Sequence, residues 1–345
     1  MTSFSFHPLF LIWLIGTTLL SAVIVKAMAR IGVMDNPIER SSHTIPTPKG
    51  GGVGIISAFL IGSIIIFPLL HQPYLISISA LLGAVAFLSI ISWLDDVKQW
   101  SAIIKLAAQI FCATIITLFI PSLSLLQQSY FIFVPVIILG LVYVINAFNF
   151  MDGLNGLAAG VAAISCLFFY YQTQQVDFAL IAIALFCGLM GFLPFNYPKA
   201  EIFMGDVGSQ SCGLLLAAFA IAPFNKLDHI SITTIPSETI LIFFLLFGIL
   251  YDVTFTLIRR TKEKAPLLKA HRSHLYQMAH RCQIPASIVT IIEWLFCIWG
   301  GMLALFIPLT TSLNTICAYS LLIIPQLIWT LFILYKTRQH NIKKW

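Results

Sequence analysis

The chain has 345 residues, of which 59% are hydrophobic and only 9% are Asp, Glu, Lys or Arg, with a formal net charge of +6. Soluble domains carry about 25% charged residues, and the mean hydropathy here is +0.96, so a water-soluble globular enzyme is excluded. The seven cysteines are scattered with no CxxC pair or ligand spacing, which reads as small apolar packing residues rather than disulfides or a thiolate metal site.

Apolar runs of transmembrane length recur along the chain, near 8–28, 52–70, 75–94, 101–120, 129–148, 154–172, 178–195, 209–223, 237–257, 287–308 and 313–335. Runs of this length predict membrane-spanning helices. The expected fold is all-α: one polytopic transmembrane domain over residues 1–345 with about eleven spans, since no loop is long enough for a soluble domain. The segment before the first run, "MTSFSFH", carries no Lys or Arg, whereas Lys26 and Arg30 follow it. This predicts a retained first helix with its N-terminus outside. On that topology all 19 basic residues except Lys226 fall on the inner side, with the C-terminus in the cytoplasm. The positive charge then belongs to one membrane face, which implies lipid headgroups rather than nucleic acid as the partner.

Five polar stretches interrupt the pattern, all on the predicted inner side. In "DNPIERSSHTIPTPKGGGVGI" (35–55), three prolines exclude regular helix and three consecutive glycines open a span; exposed N–H groups there would suit an anion, and a flexible loop is the plain alternative. "SWLDDVKQW" (92–100) places Asp95 and Asp96 side by side at a helix C-terminus. There they oppose the macrodipole and each other, and a divalent cation removes both objections. "NAFNFMDGLNGLAAG" (146–160) repeats Asn146, Asn149, Asp152 and Asn155 at three-residue intervals, a drifting polar stripe able to grip a nucleotide, a sugar or a hydrated ion. In "FNYPKAEIFMGDVGSQ" (195–210) Asp206 is bracketed by Gly205 and Gly208; it suits a helix N-cap or a Mg²⁺ ligand. Finally "DVTFTLIRRTKEKAPLLKAHRSHLYQMAHR" (252–281) joins a basic run to His271, Arg272 and His274. With no Cys or third His placed for zinc, phosphate contact is the favoured role. Acids that gather a divalent cation and bases that gather phosphate oxygens describe Mg²⁺-dependent phosphoryl chemistry at a lipid interface.

Taken in order, "LDD" (94–96), "NFMDGLNGLA" (149–158), "FMGDVGS" (203–209) and "HRSHLYQ" (271–277) resemble the polyprenyl-phosphate N-acetylhexosamine-1-phosphate transferases. The resemblance spans residues 35 to 280. "RSSHTIPTPKGGG" (40–52) and the last motif look most like the bacterial branch that starts O-antigen and least like the peptidoglycan enzyme, whose last loop carries three consecutive histidines. One departure is Asn155, where the family often has a second Asp; hydrogen bonding survives at that position but charge does not.

The resemblance implies transfer of an N-acetylhexosamine-1-phosphate from a UDP-sugar to undecaprenyl phosphate at the cytoplasmic face of a bacterial inner membrane. UMP leaves and a lipid-linked cell-surface glycan begins. It implies catalytic roles for Asp95, Asp96, Asp152 and Asp206, with Asp152 and Asp206 as ligands of Mg²⁺ or Mn²⁺. His271, Arg272 and His274 would contact phosphate; Lys49, Asn149 and Asn155 would contact the UDP-sugar. One of Asp95 and Asp96 would be the general base. A phosphate monoester has a second pKa near ~6, so such a base would serve mainly to keep the last proton away; a covalent phospho-aspartyl route is the alternative. A homodimer is compatible with the pattern. The competing class is a secondary transporter, which needs ionisable residues near the bilayer midplane; Glu293 and Asp252 are the candidates for that reading.

Overall fold

The computed structural model describes residues 8–37, 45–98, 100–119, 130–222, 236–266, 271–340 and 342. Arg40, Lys226, Lys269, Lys343 and Lys344 lie outside the described residues, as does the predicted outer loop 121–129. Among the described residues each apolar run is built of helix, as expected where lipid leaves backbone N–H and C=O groups no partner outside their own segment. The helices are α1 (Pro8–Ile31), α2 (Gly51–Ile66), α3 (Gln72–Lys98), α4 (Ala102–Phe119), α5 (Tyr130–Phe150), α6 (Leu157–Gln172), α7 (Val176–Asn196), α8 (Gly205–Ile221), α9 (Ser237–Leu245), α10 (Phe247–Lys262), α11 (Leu275–Arg281), α12 (Ala286–Phe306) and α13 (Ser312–Gln339). Two three-residue strands, β1 (Val33–Asp35) and β2 (Thr47–Lys49), pair antiparallel between α1 and α2.

The protein is an all-α, multi-pass membrane protein. Among the described residues, eight helices are long and apolar enough to cross a bilayer. A ninth span arises if α9 and α10 are taken together; they are bent by 61° at Leu246 where a straight run over 237–257 was expected. The remaining two predicted spans, α6 and α8, have 16 and 17 residues. At 1.5 Å per residue they reach only about 24–26 Å, short of the ~30 Å hydrocarbon core. Both are buried along most of their length, so protein rather than lipid surrounds their ends.

Two helix boundaries differ from the hydropathy reading in ways that matter. Helix α3 continues to Lys98, so Asp95 and Asp96 stand in its last turn. Helix α8 begins at Gly205 rather than near 209, so Asp206 sits in the first turn. Gly205 takes a φ of +73°, a backbone state that a Cβ would disfavour.

The three glycines at 50–52 do not form an anion cradle. The N–H groups of Gly50 and Gly51 donate to the Phe203 carbonyl and that of Gly52 to Met204. Lys49 and Phe203 form a parallel bridge beside them, so this backbone is consumed in docking α2 against the entry to α8. A Cβ at Gly52 would overlap the backbone of Gly208. The small residues thus serve close helix approach.

Gly52→Val should therefore lower stability by about 1–3 kcal/mol through overpacking, read as a reduced unfolding midpoint in detergent. Gly83→Ala, in a helix position with nothing within 4 Å of the added methyl, should leave the midpoint unchanged or raise it slightly.

Candidate active site

The ends of several helices meet around a cleft of about 270 Å³ whose lining includes Asp35, Lys49, Asp96, Asn149, Asp152, Asn155, Asp206 and Gln277. Residues more than 240 positions apart in sequence are thereby brought to one end of the bundle. Each acid reaches the cleft for a local reason. Asp96 is in the last turn of α3, Asp206 in the first turn of α8, and Asp152 in the turn that follows α5.

Lys105 of α4 ties two of these elements together. Its Nζ lies 2.8 Å from Asp95 Oδ2 and 3.2 Å from Asp206 Oδ2. Asp206 also accepts from Asn149 Nδ2 at 3.1 Å and from Gln210 Nε2 at 3.1 Å, and Asn149 donates further to Ser209 Oγ at 2.8 Å. Asp95 is only 6% exposed and stands behind the cleft as the counter-ion of Lys105. Asp96, its neighbour in sequence, faces the cleft. Lys49, also in the cleft lining, has its Nζ 3.7 Å from Asp35 Oδ1.

The donor set fits a hard divalent cation. Burial, then the charges of Asp206 and Asp96, push the Asp152 carboxyl well above the usual carboxylate range. Like charges packed this closely are relieved by a cation. Asp95 Oδ1 and Asp96 Oδ2 are buried oxygens without a hydrogen-bond partner. Among the described residues no three His, Cys, Asp or Glu groups converge as a preformed metal cage. That argues against zinc but not against Mg²⁺, which takes one or two carboxylates and completes its shell with water and substrate phosphates. Asp152 and Asp206 are the residues that would hold it.

The basic loop is organised differently from its sequence reading. His271, Arg272 and His274 do not line the cleft; Gln277 is the residue of this segment that does. His274 is buried, with Nδ1 3.2 Å from Asp252 Oδ1. His271 stacks on it at 5.0 Å between ring centroids. Desolvation, followed by the neighbouring His274, Arg260 and Arg259, lowers the His271 imidazole to about 4, so this ring is neutral at pH 7. Asn155 lines the cleft while its amide donates to the Pro198 carbonyl at 3.2 Å. Asn146 leaves the polar stripe altogether and bonds Gln109 in a buried amide network with Gln210.

Fold and cleft together define a multi-pass membrane protein with a carboxylate-rich site at one end of its helical bundle. The family model described as "Glycosyl transferase family 4" matches residues 78–223. A decaprenyl-phosphate N-acetylglucosaminephosphotransferase from Mycobacterium tuberculosis is 30% identical over 315 residues, 80% of this chain and 75% of that protein. A probable undecaprenyl-phosphate N-acetylglucosaminyl 1-phosphate transferase from Bacillus subtilis is 26% identical over 84% of this chain and 82% of its own length. A phospho-N-acetylmuramoyl-pentapeptide-transferase from Listeria monocytogenes is 30% identical over 63% of this chain and 74% of its own length. The chain belongs to glycosyl transferase family 4, the superfamily of polyprenyl-phosphate N-acetylhexosamine-1-phosphate transferases.

Two predictions follow from this geometry. Lys105→Met leaves a buried carboxylate unpaired and should cost about 3 kcal/mol in an unfolding experiment; adding Asp95→Asn to the same chain should restore much of it. At His271 the unfolded chain takes up a proton near pH 6.5 that the folded chain refuses until about pH 4. More protons bound in the unfolded state means that stability falls as pH falls through that window. His271→Gln should make the unfolding midpoint less sensitive to pH between those limits.

Proposed function

We propose that this protein transfers an N-acetylhexosamine-1-phosphate from a UDP-sugar to undecaprenyl phosphate in the cytoplasmic membrane of a bacterium, releasing UMP on the cytoplasmic side. The observation that carries the reading is the meeting of Asp96, Asp152 and Asp206 with Asn149, Asn155 and Lys49 in one cleft at the end of a membrane bundle. The relatives named as decaprenyl- and undecaprenyl-phosphate N-acetylglucosamine transferases favour N-acetylglucosamine as the sugar. The product would start a cell-surface glycan, and "HRSHLYQ" keeps O-antigen as the favoured one. The predominance of basic residues at the end of the bundle that holds the cleft supports a cytoplasmic orientation.

In this reading Asp152 and Asp206 would hold a Mg²⁺ ion, which would supply positive charge to offset the charge that builds on the transferring phosphoryl group. Asn149, whose Nδ2 lies 3.1 Å from Asp206 Oδ1, fixes that carboxylate from the side. Asn155 and Lys49 contact the nucleotide sugar. Asp96 faces the incoming lipid phosphate and, with its unpartnered oxygen, keeps the last proton away from the attacking oxygen. Asp95 acts through Lys105 to hold α3, α4 and α8 in register. His271, Arg272 and His274 belong to the segment that carries Gln277 to the cleft. The phosphate oxygen forms a bond to the β-phosphorus as the bond from that phosphorus to the bridging oxygen breaks, and UMP carries that oxygen away. One phosphoanhydride replaces another, so the reaction runs near equilibrium.

Membranes supplied with undecaprenyl phosphate, Mg²⁺ and a panel of UDP-N-acetylhexosamines should release UMP with at least one of them. EDTA should abolish that release and Mg²⁺ or Mn²⁺ restore it, and Asp206→Asn should lower turnover by about a hundredfold or more while the protein still inserts. Undiminished release in EDTA, or no release with any sugar, contradicts the reading. Exchange of labelled UMP into UDP-sugar should require lipid product; exchange without any lipid would transfer the argument to a phospho-aspartyl intermediate.

A further inference from the structure

Asp252 lies in α10, where the sequence marks it as a candidate for transport, yet it is 2% exposed and heavily engaged. Its Oδ1 accepts from the Leu275 N–H at 2.9 Å and from Thr256 Oγ1 at 3.1 Å, and Oδ2 accepts from the Tyr276 N–H at 3.1 Å. The first N–H groups of a helix have no partner within it. Here a carboxylate from another helix supplies one for α11. His274 Nδ1 is the fourth polar atom on the same carboxylate, at 3.2 Å. An acceptor-only carboxylate receives that contact when Nδ1 carries the hydrogen, which fixes the ring's orientation and leaves Nε2 as its second face.

The contacts continue from α11 to the cleft. The His274 ring packs against Phe150 at 6.1 Å between centroids. Tyr276 Oη donates to the Phe150 carbonyl at 2.8 Å. A Cβ on Gly153 would overlap that same hydroxyl. Phe150 and Gly153 sit next to Asn149 and Asp152, both cleft residues. Gln277 accepts from the His274 N–H at 3.3 Å and lines the cleft. One buried carboxylate therefore anchors the histidine loop and presses it on the turn that carries Asp152.

We propose that Asp252 is a positioning residue for the transfer reaction: it fixes the hydrogen of His274 on Nδ1 and docks residues 271–277 against the 149–153 turn. The proposal rests on the transferase reading given above. It assigns Asp252 no contact with substrate. Its effect belongs to alignment of reacting groups, where a displacement of about 1 Å can cost a hundredfold in rate.

The test uses the full chain in detergent or membranes. Asp252→Asn keeps the shape but turns one acceptor into a donor facing the Tyr276 or His274 hydrogen. Turnover should fall between about ten- and a hundredfold, with KM for the UDP-sugar within about threefold of wild type. Because both residues act on the one docked loop, the loss in the double variant Asp252→Asn/His274→Ala should be smaller than the product of the two single losses. Wild-type turnover by Asp252→Asn, a selective rise in KM, or additive losses in the double variant would each overturn the proposal. Should Asp252→Asn not fold, nitrogen NMR of the histidine-labelled wild type decides, with His274→Ala giving the assignment. A protonated His274 Nδ1 supports the proposal and a bare Nδ1 overturns it. An inactive wild-type protein in the same assay would instead count against the transferase reading, and the NMR result would still stand by itself.

Discussion

Carboxylates repel one another and resist leaving water, so four of them can share the end of an apolar bundle only if positive charge accompanies them. Lys105 supplies the part that is built into the fold, with Asp95 and Asp206 on the same ammonium. That contact joins α3, α4 and α8, and from it the geometry of the cleft follows. Asp95 is turned inward to meet the lysine, which turns its neighbour Asp96 toward the opening. Lys105 and Gln210 both hold Asp206 Oδ2, and Asn149 holds its Oδ1. Lys105 meets Asp95 and Asp206, whereas Asp152 is left among like charges, its carboxyl pushed up by burial and by Asp206 and Asp96.

The helices that carry these acids are positioned by close backbone packing and backbone hydrogen bonds as well as by the Lys105 contact. The Gly52–Gly208 approach brings α2 and α8 close together, and the Lys49–Phe203 bridge sets the entry to α8 beside the strand that carries Lys49. On the far side, Gly156 meets Asn196 through its N–H at 2.6 Å and Trp294 through its carbonyl at 3.1 Å, which fixes the turn holding Asp152. Two buried central helices, α6 and α8, thus begin at the cleft, and the polar turns at their starts are held by α2, α7 and α12.

Much of this was legible in the sequence because the chain is so apolar. Asp95, Asp96, Asp152 and Asp206 stood out as charges at the ends of lipid-soluble runs, and hydropathy located the helices that carry them. Other features were hidden for identifiable reasons. Lys105 read as one more positive-inside lysine, because nothing in a linear pattern says which lysine turns inward. The triple glycine left an anion loop and a flexible loop both open, since exposed and consumed N–H groups have the same spelling. Asp252 read as a membrane-embedded acid of the kind transporters use, because its partners lie more than twenty positions away in a loop that seemed free for phosphate. In each case the missing information was a long-range partner. The four donors on Asp252 give one of the two acids named for the transport reading, Asp252 and Glu293, a structural role instead.

The central claim is a division of labour within the cleft: Asp152 and Asp206 serve the metal–diphosphate, and Asp96 serves the lipid phosphate. Calorimetric titration of UDP-N-acetylglucosamine into purified wild-type protein and its Asp96→Asn, Asp152→Asn and Asp206→Asn variants, with and without Mg²⁺, tests it directly. Wild type and Asp96→Asn should bind with closely similar affinity when Mg²⁺ is present, while Asp152→Asn and Asp206→Asn should each lose about tenfold or more, at least 1.4 kcal/mol, and lose the response to Mg²⁺. Equal loss of binding in all three variants, or wild-type binding indifferent to Mg²⁺, would contradict it.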